Sequence, residues 1–518
     1  MKKLLALLFC FSLVLSLFSG CKNKSENESG ETTDVSAQAV TETETQTKKT
    51  ENRKISLSYN AKQSLNPFKT ESTANKNIAT LLYDSLFILD SSYNAVPLLA
   101  GSYRLEKKIL TVTLNDGLYF SDGSPLTVDD VIASFQAAKD SPVYSSRLKN
   151  FTSAAVGQDA DSIRFALRQE NIYAVNCLDF PVAKSGTLEK GVPTGSGRYT
   201  LKKADGEYVL SVNSQNTRNE ELEQARIYLS PADAESGELY QLQIGDISFL
   251  YDDMSGKSQR KQISAGTAEI PMNTVVFLGF NNSTELFSDI RLKNAVEAAV
   301  DFATVCSSAY NSLLKPCATV FNPDWSAVSA YSAQTPKRQT VLAEQLLEEC
   351  GYIYAYENNE YRSKNFDFIE MAVLVNSESE EKRKAAKLIA DELKEVGIDA
   401  EVEAVEFDEY KEKLREGDFD LYVGEIKLTS DMNLSPFFSE NGEAGYTVDP
   451  TSTAAKAYAD FAAGKIDVST FDKVFDEYKP FIPIGYRYGV AYYSRELKYE
   501  GTVSENDIFA NIYSWSFS

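Results

Sequence analysis

The sequence predicts a mixed α/β protein with more than one domain. Apolar residues alternate with period two in some segments and recur with helical spacing in others, and the two kinds of segment follow each other along the chain. Gly, Pro and Asp-Gly pairs stand between them as turn signals. Beyond a polar N-terminal stretch the chain is longer than the roughly 250–300 residues one core supports, so two or three domains are expected.

The N-terminal segment is read as processing and tethering rather than fold. Lys2 and Lys3 precede an apolar run from Leu4 to Phe18 and then Ser19-Gly20-Cys21, the layout of a secretory signal. The run is short for a spanning helix, which needs about 20 apolar residues. LFSGC resembles the lipobox of bacterial lipoproteins, which implies that Cys21 is lipid-modified. The stretch Lys22–Arg53 is mostly Ser, Thr, Glu, Lys, Asn and Gln without an aromatic residue, so it is expected to be a disordered tether.

The folded part opens with Ile55, Leu57 and Tyr59, an alternating strand that ends in the SLNPF turn, Ser64–Phe68. Leu110, Val112 and Leu114 form a second strand, and Leu118 and Phe120 suggest a third. Asp116-Gly117 and Asp122-Gly123 are turn pairs. Thr127 is the expected N-cap of the next helix, with Asp130 at the capping-box position. The carboxylates in this region fail as a calcium loop, because Pro125, Leu126 and Val128 stand where ligands are needed and no closing Glu follows.

Leu292, Ala295, Val296, Ala299 and Val300 lie on one helical face. A longer helix runs from about Glu378 to Val396 with Gly397 just beyond it. Ile398, Ala400, Val402 and Ala404 alternate as a strand, a short helix surrounds Tyr410–Leu414, and FDLYVG reads as an apolar strand after Gly417.

Composition excludes several chemistries. The chain has 52 Lys and Arg against 75 Asp and Glu, a formal charge of −23, which argues against nucleic acid and anionic lipid surfaces as partners. There is no histidine, which removes Ser–His and Cys–His catalysis, His-ligated zinc and a His haem ligand. Beyond Cys21 the cysteines are Cys177, Cys306, Cys317 and Cys350. Buried free thiols are expected, with Cys306–Cys317 the one pair placed to bridge. Gly256-Lys257-Ser258 lacks the leading glycine of a phosphate loop, since position 251 is Tyr. No G-x-S-x-G elbow occurs, and among so many acidic residues no carboxylate pair is singled out for glycoside hydrolysis. No cofactor site is expected.

Several segments in order carry a family resemblance. LTVTLNDGLYFSDGSPLTVDDVIASFQ resembles the signature of extracytoplasmic solute-binding proteins of family 5, the oligopeptide/dipeptide class of ABC transporters. VPTGSGRYTL is similar to that family's glycine-rich segment, with Arg198 at its second proline. VVFLGFNNS with FSDIRLKNAVEAAVD, then LAEQLLEECGY, LIADELKEVGIDAEV and KPFIPIGYRYG, resemble later family segments.

The resemblance implies a two-lobed periplasmic-binding-protein fold with an extra subdomain and a hinge between lobes. Its implied boundaries are a signal peptide at 1–20 and the lipidated Cys21 with its tether at 21–53. Lobe I takes 54–70, 193–280 and 485–518, a subdomain takes 71–192, and lobe II takes 281–484. The implied role is a lipid-anchored extracytoplasmic receptor, not an enzyme, that hands peptide or another small solute to the permease subunits of an ABC importer. A monomer is expected, held to the membrane through its anchor. A carbohydrate-active enzyme with paired carboxylates, or a receptor for an oligosaccharide or metal complex, are the alternatives.

In peptide-binding relatives an Asp after a lobe II strand takes the peptide amino group, and the strand pairs with peptide backbone. The matching residue in DLYVGEIKLTSDMNLSPFF is Asp431, with Glu425–Ser430, including Thr429 and Ser430, as the pairing segment. The aromatic residue that relatives carry near Glu425 or Ile426 is absent. Tyr486 and Tyr488 fall where the family places cleft tyrosines, and Lys427 and Arg487 are the candidate carboxylate partners. Trp515 is expected to pack the end of lobe I.

Overall fold

The computed structural model describes residues 54–517 except 205, 219–224, 233–234, 257–259, 330–336, 357, 441, 500 and 502. The expected signal peptide, Cys21 and tether lie outside the described residues.

Two long strands organise the molecule. Gly266–Phe280 and Phe481–Tyr493 run antiparallel through the middle of the largest sheet. Their register breaks between Pro271 and Val275 and again between Val276 and Phe277. Proline removes a ladder donor and an irregularity bends a strand, so the pair changes direction there.

On one side of this break, Phe481–Tyr493 pairs with Phe249–Asp252, and the sheet continues through Ser56–Asn60, Arg226–Ala232, Glu207–Val212 and Tyr199–Ala204. On the other side, Gly266–Phe280 pairs with Leu421–Lys427, followed by Glu370–Asn376 and Asp399–Val405. Ile270 and Ala491 enter one apolar core, whereas Val276, Leu278, Ile482 and Ile484 enter another. The same two strands therefore feed two cores. This is the two-lobed α/β fold, with the crossing strands as its hinge.

The first lobe carries a small antiparallel sheet of Ala100–Glu106, Ile109–Leu114, Ser162–Leu167 and Phe151–Val156. The helix Val128–Lys139 packs on it through Phe135, which meets the rings of Phe151, Phe165 and Phe180. The capping box forms: the Asp130 carboxylate accepts from the Thr127 amide at 3.0 Å and hydroxyl at 2.8 Å. Gly117 and Gly123 adopt φ of 68° and 81°, as their turns require. Leu118–Phe120 is not a strand. Only Tyr119 bridges, to Pro125, because the second Asp-Gly turn folds the chain back at once.

In the second lobe the helices form at Ile290–Ala299, Glu380–Glu395 and Phe407–Glu416. Ser379 caps the longest, Ala385, Ala386, Ile389 and Leu393 bury its inner face, and Gly397 ends it at φ 87°. A third core is aromatic, built around Phe277, Phe321, Trp325, Phe437, Phe471 and Phe481. The four cysteines among the described residues are free and buried, so Cys306 and Cys317 do not bridge, and burial pushes both thiols up. Trp515 is fully buried against Phe249 and Phe509 in the first lobe.

Candidate ligand site between the lobes

A cavity of about 220 Å³ opens where the two halves meet at the crossing strands. The first lobe supplies Thr73, Lys76 and Asn77 from the helix Thr73–Leu82, and Tyr251, Asp253 and Ser255 from the end of the strand Phe249–Asp252. The hinge supplies Met272 and Thr274, the second lobe Glu425, Ile426 and Lys427, and the C-terminal segment Glu505.

The wall is rigidly built. Asn75 locks the start of its helix to the preceding loop: its side chain accepts from the Asn60 amide at 2.8 Å and donates to the Asn60 and Ser64 carbonyls at 3.0 and 3.1 Å. Glu505 is buried, accepts from the Asn273 amide at 2.8 Å and pairs with Lys427. Burial raises its pKa, but Lys427 and the Asn273 amide more than offset this, and the carboxyl ends below its ordinary value. The buried Tyr251 hydroxyl has no hydrogen-bond partner.

Below the cavity lies an ion cluster. Arg487 donates to Glu381 at 3.2 Å, to Glu425 at 3.0 Å and to the Met254 carbonyl at 2.6 Å, and Lys382 meets Glu425 at 3.2 Å. Burial works against the Glu425 charge, yet the two cations hold its pKa below normal. Glu425 also lines a second cavity of about 820 Å³ in the second lobe, walled by Phe407, Tyr410, Arg415 and Tyr446.

Leu421–Lys427 pairs along its whole length with Thr274–Phe280. On its other edge Glu370–Asn376 pairs only at Leu421 and Tyr422. From Val423 onward no described strand covers that edge.

Of the residues expected at the site, only Lys427 lines the interlobe cavity. Asp431 is 5% exposed, with its carboxylate oxygens accepting from Thr429 Oγ1 at 2.5 Å and Asn171 Nδ2 at 2.8 Å. Burial raises its pKa, and hydrogen bonds from Thr429, Cys177 and Asn171 only partly oppose that. Thr429 and Ser430 give their carbonyls to Asn273 and Asn176. Tyr486 is a core residue whose hydroxyl donates to the Val320 carbonyl at 2.7 Å. Arg487, expected as a carboxylate partner of the ligand, is 3% exposed and already serves two carboxylates of the protein. In this conformation these groups face protein because the halves are in contact. Asn171 and Asn176 come from the first half, and Tyr173 packs on Trp325 at a centroid distance of 4.8 Å.

Lys76, Tyr251 and Glu505 went unnoticed in the sequence. One general signal pointed their way: ligands of open α/β sheets bind beyond the carboxyl ends of strands, and Tyr251 ends one while Lys76 follows another.

A hinged pair of α/β lobes with a polar cavity between them defines a binding protein that closes on a solute. Comparison with known proteins gives the family. The model for bacterial extracellular solute-binding proteins, family 5 Middle, matches residues 94–445, more than half of the chain, and the protein belongs to that family. It is 23% identical over 406 residues to the periplasmic oligopeptide-binding protein OppA of Salmonella typhimurium, covering 69% of this chain and 72% of the relative. An ABC transporter substrate-binding protein from Sinorhizobium meliloti superposes with a TM-score of 0.72 at 18% identity, over 90% of this chain and 99% of that one. NikA from Brucella suis, in complex with Fe(III)-EDTA, superposes with a TM-score of 0.67 at 15% identity, over 89% and 100%. The protein is thus a solute-binding component of an ABC transporter. Its relatives are binding proteins rather than enzymes. No helix among the described residues is long and apolar enough to cross a membrane.

Proposed function

We propose that the protein is a receptor that captures short peptides in the interlobe cavity and delivers them to an ABC importer permease. On this reading it works as a monomer on the outer side of the membrane, anchored through lipidated Cys21. The observation that carries the peptide reading is the outer edge of Leu421–Lys427 beside the cavities: the Tyr410 hydroxyl takes the Val423 carbonyl at 3.0 Å, and from Glu425 to Lys427 no described strand covers the edge. Such an edge offers backbone donors and acceptors to an extended peptide without choosing its side chains. The oligopeptide-binding relative supports the same solute class.

Asp431 and Ser430 act in this proposal through closure, since their bonds to Asn171 and Asn176 tie the halves together, and Thr429 supports Asp431 by donating its hydroxyl to the carboxylate. Asp431 is also the group that opening the lobes would free for a ligand ammonium. The hydrolase reading has little support, because Glu381, Glu425 and Glu505 are each held in an ion pair. Among the described residues no cluster of His, Cys, Asp and Glu could hold a metal ion, so a metal solute would have to arrive chelated.

Gentle purification followed by mass spectrometry of the released solute tests this reading. Peptides are expected, and their addition back should raise Tm by the mass-action term RT ln(1 + [L]/Kd). A carried solute of another class, with no Tm response to a broad peptide mixture, would end the peptide reading.

A further inference from the structure

The first lobe holds a cavity of its own, of about 120 Å³, that shares no lining residue with the interlobe cavity. The helix Thr73–Leu82 walls it through Ala79 and Thr80, the strand Phe87–Leu89 through Ile88 and Leu89, and the C-terminal segment through Asn506 and Ala510. Leu98, Phe509 and Ile512 add to its apolar lining. Two polar atoms of lining residues are left over. The Asp179 side chain is 10% exposed and gives one carboxylate oxygen to Arg147 at 2.5 Å, while its other oxygen, Oδ1, is buried and accepts from no described residue. Asn506 Nδ2 is likewise buried and donates to no described residue.

We propose that this cavity is a second binding site, for a small uncharged solute that carries a primary amide on a short apolar body. The proposal stands apart from the peptide-receptor reading, because no residue of the interlobe cavity takes part in it.

Volume, charge and hydrogen bonding each narrow the ligand. An apolar cavity of about 150 Å³ admits benzene, so this one suits a body of about six heavy atoms. Net charge is disfavoured. Asp84 pairs with Arg218 and Asp179 with Arg147, and Asp507 lies in the field of Arg198 and Arg218. Three carboxylates thus face three guanidiniums, and a charged ligand would add a buried charge without a counter-ion. Buried donors and acceptors are nearly always bonded. Asp179 Oδ1 requires a donor and Asn506 Nδ2 an acceptor, and a primary amide carries both. Its N–H bond to the carboxylate is charge-assisted, the stronger kind. A largely apolar wall with a few placed polar groups is the usual make-up of a small-molecule site. Ile88 and Ala510 are exposed members of the lining and mark the mouth.

The test uses the full chain and two probes of one shape, isobutyramide and methyl isopropyl ketone, in which a methyl replaces the amide nitrogen. Saturation-transfer NMR titrations should give the amide at least tenfold tighter binding. Asn506→Leu removes the free donor and should cut amide affinity severalfold while leaving a bound ketone no better held. Ala510→Trp plugs the mouth from an exposed position and should abolish binding of both probes. Equal affinities in the wild type would overturn the amide assignment, and no binding of either probe would overturn the site. Amide binding that survives both substitutions unchanged lies elsewhere on the protein and would overturn the proposal as well. Far-UV circular dichroism and urea unfolding check that the variants fold; should Ala510→Trp fail to, Asn506→Leu decides alone.

Discussion

Asp431 and Glu505 are two carboxylates buried to nearly the same degree, 5% and 6% exposed, and both lie where the lobes meet. Their pKa values nevertheless move in opposite directions. Burial penalises both charges alike. Asp431 finds only neutral donors, Thr429, Asn171 and the Cys177 thiol, which soften the penalty without removing it. Glu505 faces the Lys427 ammonium, and that charge reverses the sign. Burial alone therefore says little about a polar group at a closing interface; the charge of its partner decides.

The region around Asp431 is also packed with rings, whereas the region around Glu505 is a cavity. Trp325→Ala strips out the ring on which Tyr173, Phe321 and Phe461 rest. It should cost about 3–5 kcal/mol in urea unfolding. A loss below about 1 kcal/mol would mean that the aromatic contact between the halves contributes little.

Glu505→Gln keeps an acceptor for the Asn273 amide but removes the charge facing the half-exposed Lys427. We expect a loss of about 1–2 kcal/mol at pH 7. Because the folded pKa is depressed, this stabilisation is full above the unfolded value and disappears as pH falls through the folded one. The variant and wild type should therefore converge in acid. A constant gap across the pH range would show that Glu505 acts by shape alone.

Thr127→Ala removes a helix cap far from either carboxylate and should cost about 1 kcal/mol with no change in ligand binding. A binding change would tie the small sheet of the first lobe to the cleft.

Asp431→Asn should have the smallest effect, between no change and a gain of about 1 kcal/mol at pH 7, since it removes a buried charge and keeps the shape. The sign of the wild-type pH dependence is opposite to that of Glu505. With a raised folded pKa, the native state holds the proton longer than the unfolded chain, so stability falls as pH rises through that window. Asp431→Asn should flatten this slope, leaving the part owed to Asp84, Glu392, Asp420 and Asp507, whose pKa values are also raised. A loss above about 2 kcal/mol would show that the ionised carboxylate is needed.

Much of the fold was legible because it is written in local patterns. The alternation of Leu110, Val112 and Leu114 and the helical face of Ala385, Ala386, Ile389 and Leu393 are properties of a few adjacent residues. The cap at Thr127 and the helix stop at Gly397 are equally local. The strand at Leu118–Phe120 failed for a local reason too, since a tight turn leaves no room for a ladder. The site was less legible. Lys427 was expected from its place after a recognisable strand and lines the cavity, but Lys76 lies 351 residues before it and Glu505 lies 78 residues after it, and neither carries a motif.

The sequence by itself determined the alternation of strands and helices, the absence of histidine chemistry and the membership of a family whose segments recur in order. Tertiary structure alone decided which charges meet. The fold brings residues 76, 427 and 505 to one cavity and gives Lys427 its partner in Glu505. Charge pairing acts through space over a few ångströms, and only the folded chain sets that distance.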